Sequence, residues 1–231
     1  MNGILLVDKP KGWTSFDVVN KVRRIVQVSP LNTSNKKRFP VGHTGTLDPL
    51  ATGLLVLLLG KYTTHAPRLT KFDKTYEVTM KLGYTSTTGD EEGDKTATSD
   101  RVPSIKEVQA AFAELTGEIM QIPPIYSAIK INGQRAYKLA REGKAPEMQP
   151  RSARIDYITI TDYTYPIVRF TTHVSSGTYI RTLVEDAGAA LKTGAYMADL
   201  RRTAVGGFQL ADAIVMDGIT AEKVQAALKE V

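Results

Sequence analysis

Residues 41–60 read VGHTGTLDPLATGLLVLLLG, and the two halves of this stretch ask for different backbones. The second half is apolar at every position of residues 54–59. A strand with one wet face alternates in polarity, so an unbroken apolar run of this length reads as a central strand covered on both sides. The first half reads as a turn. Pro49 presets its own φ, and Asp48 can hydrogen-bond ahead to the backbone, so Asp-Pro reverses the chain. Gly42, Gly45 and Gly53 permit close approaches that a Cβ would block. One carboxylate is therefore held on a stiff loop beside a buried element, with His43 five residues upstream. That arrangement suits a nucleophile or base working on a large ligand.

Outward from this stretch, short strands alternate with amphipathic helices. Residues 3–7 read as a buried strand ending at the turn Lys9-Pro10-Lys11-Gly12. Thr14 or Ser15 caps a helix whose apolar face is Val18, Val22, Ile25 and Val26. Residues 29–40, SPLNTSNKKRFP, form a polar, basic loop. Residues 74–82 follow as a strand, and residues 85–100 as a polar, exposed excursion. Pro103-Ser104 opens a helix with Ile105, Val108, Phe112 and Leu115 on one face, stopped by Gly117. Residues 121–150, rich in Lys, Arg and Tyr, are the least core-like long stretch and read as an arm that closes over a ligand. Residues 154–163 and 167–174 alternate as paired strands, with Val168, Phe170, Thr172 and Val174 sharing a face. Residues 178–191 form an amphipathic helix and residues 220–231 a short terminal one. The expected architecture is a single α+β domain, a mixed sheet with peripheral helices.

Composition narrows the chemistry. With no cysteine among 231 residues, disulfides, thiolate nucleophiles and thiolate-ligated zinc are excluded, and three His remain as soft ligands. No segment approaches the ~20 apolar residues needed to span a bilayer. The N-terminus MNGILLVDKPKGW meets an acid and two lysines too early for a signal peptide, so a soluble cytoplasmic protein is expected. The formal charge is +6 and the pI about 9.4, and distribution matters more than the total. Residues 1–75 hold twelve Lys/Arg against four Asp, while residues 90–94, DEEGD, read as an acidic patch. A basic first third is either a solvated face or a phosphate-facing surface.

The Asp48 segment resembles the GHTG(S/T)LDPxATG motif of the TruB-type pseudouridine synthases, which isomerise the uridine of the tRNA TΨC loop. Further segments agree in order: GILLVDKPKGWTSFDVV, FDKTYEVTMKLG, PPIYSAIKINGQRAYKLAREG, VSSGTYIRTLVEDAG and LRRTAVGGF. The resemblance covers nearly the whole chain. It implies the pseudouridine synthase catalytic fold, with a central RNA-binding cleft that holds the aspartate. Bacterial relatives usually carry a C-terminal PUA domain. Here the chain stops soon after GGFQLADAIVMDGI, so one catalytic domain over residues 1–231 without a PUA domain is expected. The implied partner is the T arm of tRNA, bound by a monomer that needs neither guide RNA nor protein partner.

Pseudouridine formation breaks the N1–C1′ bond, turns the uracil and rejoins it through C5, with no redox or metal step. No cofactor and no metal site are therefore expected. The sugar carbon needs a nucleophile or charge stabiliser as the bond breaks, and a carboxylate supplies either, as in retaining glycosidases. The resemblance makes Asp48 that group. A sugar adduct, a glycal-type intermediate and attack on the uracil ring all stay open. Arg181 lies in the first turn of its helix, where a cation opposes the macrodipole and so invites a partner. The resemblance implies that this partner is Asp48.

Tyr76 has two candidate jobs, stacking on the extruded uracil or taking a proton, and stacking is favoured because a phenol titrates near 10. Tyr179 and Leu200 resemble the family's pocket residues, and His43 the residue that fills the space vacated by the flipped nucleotide. Lys9, Lys11, Lys130, Arg135 and Arg141 are candidate phosphate contacts, with Lys36, Lys37, Arg38, Lys138 and Lys144 as further ones; such contacts position RNA rather than specify a base. Two other readings are the same chemistry on a different RNA, and a tRNA-folding chaperone with secondary catalysis. A glycosidase would need a second carboxylate across the bond, which the motif lacks.

Overall fold

The apolar run of residues 54–59 is buried on both sides because two separate apolar layers meet it. In the computed structural model, residues 1–30, 32, 38–127, 129–131, 133–144 and 146–230 are described, and the side chains of residues 130, 135, 137 and 141 fall outside that description. In chain order the elements are β1 (Gly3–Lys9), α1 (Ser15–Gln27), β2 (Val41–His43), β3 (Thr52–Leu59), α2 (Ala66–Leu69), β4 (Lys74–Leu82), β5 (Tyr84–Ser86), β6 (Lys95–Ala97), α3 (Ile105–Glu114) and β7 (Gly117–Gln121). They continue with β8 (Lys130–Ile131), β9 (Gln134–Arg135), α4 (Ala136–Arg141), β10 (Arg151–Thr164), β11 (Ile167–Val174), α5 (Ile180–Ala190), β12 (Ala195–Val205), β13 (Phe208–Gln209), β14 (Ile214–Val215) and α6 (Ala221–Ala226). Contacts divide the chain into two compact units, Met1–Glu77 with Leu200–Val231, and Val78–Asp199. No helix among the described residues is long and apolar enough to cross a membrane.

In the first unit β3 runs antiparallel to β1 along its whole length, Gly3 opposite Leu59 and Lys9 opposite Gly53. Leu5, Val7, Leu55, Leu57 and Leu59 face one layer, built on Val18, Val22 and Val26 of α1 and on Val224 of α6. Ile4, Leu6, Leu54, Val56 and Leu58 face the other, with Leu69, Phe72 and Phe208. Alternation therefore survives in where the side chains go, while both destinations are apolar. Thr14 caps α1, accepting from the Asp17 N–H while Asp17 reaches back to the Thr14 N–H.

The other edge of β3 is shared. β2 pairs with its far half, His43 opposite Leu57, and β12 pairs in parallel with its near end, Arg201 opposite Thr52 and Arg202 opposite Gly53. Residues 44–51 leave the sheet where those two partners divide that edge. The close approach of β12 depends on Gly53, whose φ is +98° and whose hypothetical Cβ would lie 2.3 Å from the Arg202 carbonyl oxygen. A left-handed φ and a backbone clash cannot both be relieved by side-chain movement. Gly53→Ala is therefore expected to destabilise the protein by about 3 kcal/mol or more, read as a shift in the denaturation midpoint. A loss within experimental error would show that β12 can move away.

In the second unit Val78, Met80 and Leu82 of β4 lie beside β11, which is followed by β10 and then β7. Val168, Phe170, Thr172 and Val174 of β11 are all buried, as their spacing predicts. Phe170 packs its ring on Phe112 of α3 at 4.8 Å between centroids. Ser104 caps α3 through a reciprocal box with Glu107. Residues 85–100, predicted to be an exposed excursion, form the hairpin of β5 and β6, and one member of the supposed acidic patch, Asp90, is only 3% exposed. Residues 121–150 carry the β8–β9 ladder and α4. The architecture is α+β with mixed strand directions, as expected. β7 and β12 were not anticipated, because neither carries a run of β-branched or aromatic residues.

Candidate active site

Asp48 sits on a loop whose backbone is tied down residue by residue. The Thr44 N–H bonds the Val56 carbonyl, extending the β2–β3 ladder by one step. Leu47 is gripped twice by Ser15, whose hydroxyl donates to its carbonyl at 2.9 Å and accepts from its N–H at 2.8 Å. The Asp48 carbonyl accepts from the Ala51 N–H, closing the turn that Asp-Pro starts. The Pro49 carbonyl accepts from the Gly12 N–H at 2.8 Å. Leu47, Leu50 and Ala51 are buried around a half-buried Asp48. Backbone carbonyls fixed in this way hold the turn that carries the Asp48 side chain.

Lys9 supplies a further tie, and its role differs from the expected phosphate contact. It is 0% exposed, and its ammonium donates to the carbonyls of Trp13 at 2.6 Å, Pro10 at 3.0 Å and Pro49 at 3.5 Å. The turn at residues 9–12 converges these carbonyls, and a buried cation needs such acceptors. Lys11 is exposed and keeps its place as a surface cation. Lys36 and Lys37 lie outside the described residues, as do the side chains of Lys130, Arg135 and Arg141.

His43 ends β2 and is partly buried. Burial and the Arg202 guanidinium hold its imidazole below the ordinary histidine range. The Gly45 N–H points at Nδ1 at 3.3 Å, so the neutral ring carries its proton on Nε2. Tyr76 and Leu200 are each 8% exposed, Tyr76 on β4 and Leu200 on β12. Lys74, two residues before Tyr76, is buried with its ammonium on the Thr70 and Phe72 carbonyls, and burial plus the nearby Arg202 bring its pKa down to about 8.

The sign of the Lys74 effect is fixed. Its folded value lies below the unfolded 10.5, so the unfolded chain binds more protons between about pH 8 and 10.5. The Lys74 contribution to stability is least favourable below pH 8 and rises through that window. Stability measured by urea denaturation from pH 7 to pH 10 is expected to climb more steeply in the wild type than in Lys74→Met. Parallel curves would contradict the assignment.

In the second unit Arg181 occupies the second position of α5 and is 8% exposed. Its guanidinium donates to the Thr88 carbonyl at 3.1 Å and the Tyr126 carbonyl at 2.8 Å, and lies 3.6 Å from the Asp90 carboxylate. Asp90 is held in turn by the Thr88 hydroxyl and the Glu92 N–H. A cation at a helix N-terminus is thus compensated by a buried acid. Tyr179 precedes it as N-cap and exchanges two hydrogen bonds with the Gln121 amide, at 3.0 and 3.3 Å.

Four residues were not singled out for these jobs in the sequence: Ser15, Arg202 and, in its buried role, Lys9 in the first unit, and Asp90 in the second. For Arg202 a signal exists. From Leu200 the chain alternates buried and less buried through Ala204, which places Arg202 on the same buried face as Leu200.

The family model described as "TruB family pseudouridylate synthase (N terminal domain)" matches residues 32–180. This chain belongs to the TruB family. A second model, "tRNA pseudouridylate synthase B C-terminal domain", matches residues 181–231. The chain is 44% identical over 221 residues to tRNA pseudouridine synthase B of Burkholderia pseudomallei (strain 668), covering 96% of this chain and 70% of that protein. It is also 44% identical over 222 residues to the protein of the same name from Opitutus terrae, covering 96% and 88%. Among solved structures, a chain from the crystal structure of a Cbf5–Nop10–Gar1 complex superposes with a TM-score of 0.71 at 30% identity. That match covers 98% of this TruB-family chain, which spans 59% of its neighbour. The pseudouridine synthase fold expected from the motifs is therefore the fold observed, and the chain is an RNA uridine isomerase by family.

Proposed function

We propose that this protein isomerises the TΨC-loop uridine of tRNA (position 55) to pseudouridine, with Asp48 as the carboxylate that acts on the sugar. The observation that carries the reading is the Asp48 loop, whose carbonyls from Gly45 to Pro49 are each engaged by a hydrogen bond. Effort of that kind positions one reactive group, and preorganisation of that group lowers the barrier without raising affinity. Arg181 pairs with Asp48 in this reading, keeping it ionised. Its guanidinium is already oriented by two carbonyls and Asp90, which supports such a role.

The nucleotide is extruded from its stack, at a cost of a few kcal/mol. A neutral His43 fills the gap it leaves, since an uncharged ring stacks without a desolvation penalty. Tyr76 and Leu200 bracket the uracil while it turns, with Tyr179 near Asp48. The N1–C1′ bond breaks, C5 bonds C1′, and the C5 proton leaves as N1 gains one, so no external reactant is consumed. The chain acts as one catalytic domain in the cytoplasm, as a monomer without guide RNA or protein partner. The segment at about 121–150 serves as its RNA-contacting arm. The 44% relatives named for tRNA support a stand-alone enzyme over the more distant 30% likeness to Cbf5.

Incubation of an unmodified tRNA transcript with the protein, followed by site-resolved detection, is expected to give pseudouridine at the TΨC uridine alone. A T-arm minihelix should also serve. Modification elsewhere with that site untouched would instead favour the same chemistry on a different RNA.

A further inference from the structure

We propose that Arg202 is a positioning residue that sets how the Asp48 loop is presented, by clamping the two ends of the turn to each other. The proposal rests on Asp48 being the reacting carboxylate. Arg202 is 2% exposed, and among the described residues its guanidinium meets backbone carbonyls alone. Nε donates to Leu54 at 2.8 Å, Nη2 to Gly45 at 3.1 Å, and Nη1 reaches Thr46 at 3.5 Å. Gly45 and Thr46 lie before Asp48 and Leu54 beyond it, so one planar fork spans the turn.

A buried cation is costly when no acid answers it, and an apolar side chain would fill this position on β12 more cheaply. What the guanidinium provides is rigid geometry, with donors fixed in a plane that a flexible ammonium cannot reproduce. The second cation nearby does not share the task. A Cβ on Gly45 would come within 3.5 Å of Arg202 Nη1 and 3.8 Å of Lys74 Cε, yet Lys74 directs its ammonium to Thr70 and Phe72. Ser15 and Lys9 hold Leu47 and Pro49 from elsewhere in the unit. Arg202 is itself placed by the Gly53 approach and grips the carbonyl of Gly45, whose N–H contacts His43.

The test compares Arg202→Lys and Arg202→Met with the wild type in single-turnover rate, tRNA affinity, amide exchange of the loop and NMR titration of His43. Arg202→Lys keeps the charge but loses the fork. Its rate should fall about 10- to 100-fold with affinity unchanged, the Leu47 and Ala51 amides should exchange faster, and His43 should titrate as before. Arg202→Met should add a rise in the His43 pKa, because the repelling charge is gone. Should the Met variant fail to fold, the Lys variant alone carries the test. Unchanged loop exchange would overturn the proposal, as would a loss confined to affinity, or a normal rate in Arg202→Lys while Asp48→Asn is inactive. Activity in Asp48→Asn defeats the Asp48 assignment instead, and the exchange rates are read independently of it.

Discussion

Asp48→Asn is expected to abolish pseudouridine formation on a tRNA transcript, lowering the single-turnover rate by on the order of 10⁴-fold or more, while affinity for tRNA stays within about threefold. Asparagine is nearly isosteric, and the hydrogen bonds accepted by the carbonyls of Leu47, Asp48 and Pro49 do not depend on the side chain's charge. The turn should therefore persist with the wrong chemistry at its tip. An amide is neither a nucleophile toward an anomeric carbon nor an anion able to stabilise charge there. In the proposed reading binding draws on cations and stacking groups spread over a wider surface, so it should survive. A variant that still converts uridine would end the catalytic assignment, whereas one that lost affinity in step with rate would favour the RNA-chaperone reading.

Arg181→Met is expected to cost both stability and rate, and the two losses can be separated. Removing the guanidinium strands the Asp90 carboxylate, 3% exposed, beside an apolar side chain. Breaking a buried pair in this way costs about 3 kcal/mol; the separation of 3.6 Å and the further partners of Asp90 place it at the lower end of the usual range. The rate should fall by about 10² or more, since charge stabilisation at a preorganised site is worth that much. Adding Asp90→Asn to Arg181→Met removes the stranded charge and should recover most of the stability. On the proposed pairing of Arg181 with Asp48, turnover should stay lost. If the double variant regained rate along with stability, Arg181 would be an architectural residue only.

The elements legible in the sequence are those governed by local rules. Thr14-Ser15, of which Thr14 is the cap, and Ser104 announce their helices because a capping side chain needs only the next three residues. β3 and β11 are legible because their polarity patterns record how many faces are covered. The Asp48 turn is legible because Asp-Pro and flanking glycines constrain φ within a few bonds, and its membership in an ordered set of motifs identified the family.

Other features depend on groups far apart in the chain. Arg181 could be flagged as a cation at the wrong end of a helix, but one acid beside it, Asp90, lies 91 positions earlier and read as surface charge. Lys9 looked like a phosphate ligand because a lysine in a turn is normally solvated; three carbonyls converging on it make it interior instead.

The sequence by itself determined that a single carboxylate would sit in a tight, glycine-flanked turn at the mouth of a buried strand, because turn chemistry and hydrophobic periodicity act over a few residues. Only the tertiary structure decided which groups would hold that turn: a serine at the start of α1, a lysine from the end of β1 and an arginine from β12. These bonds satisfy carbonyls buried when distant strands are brought together, a demand that arises only after the chain has folded.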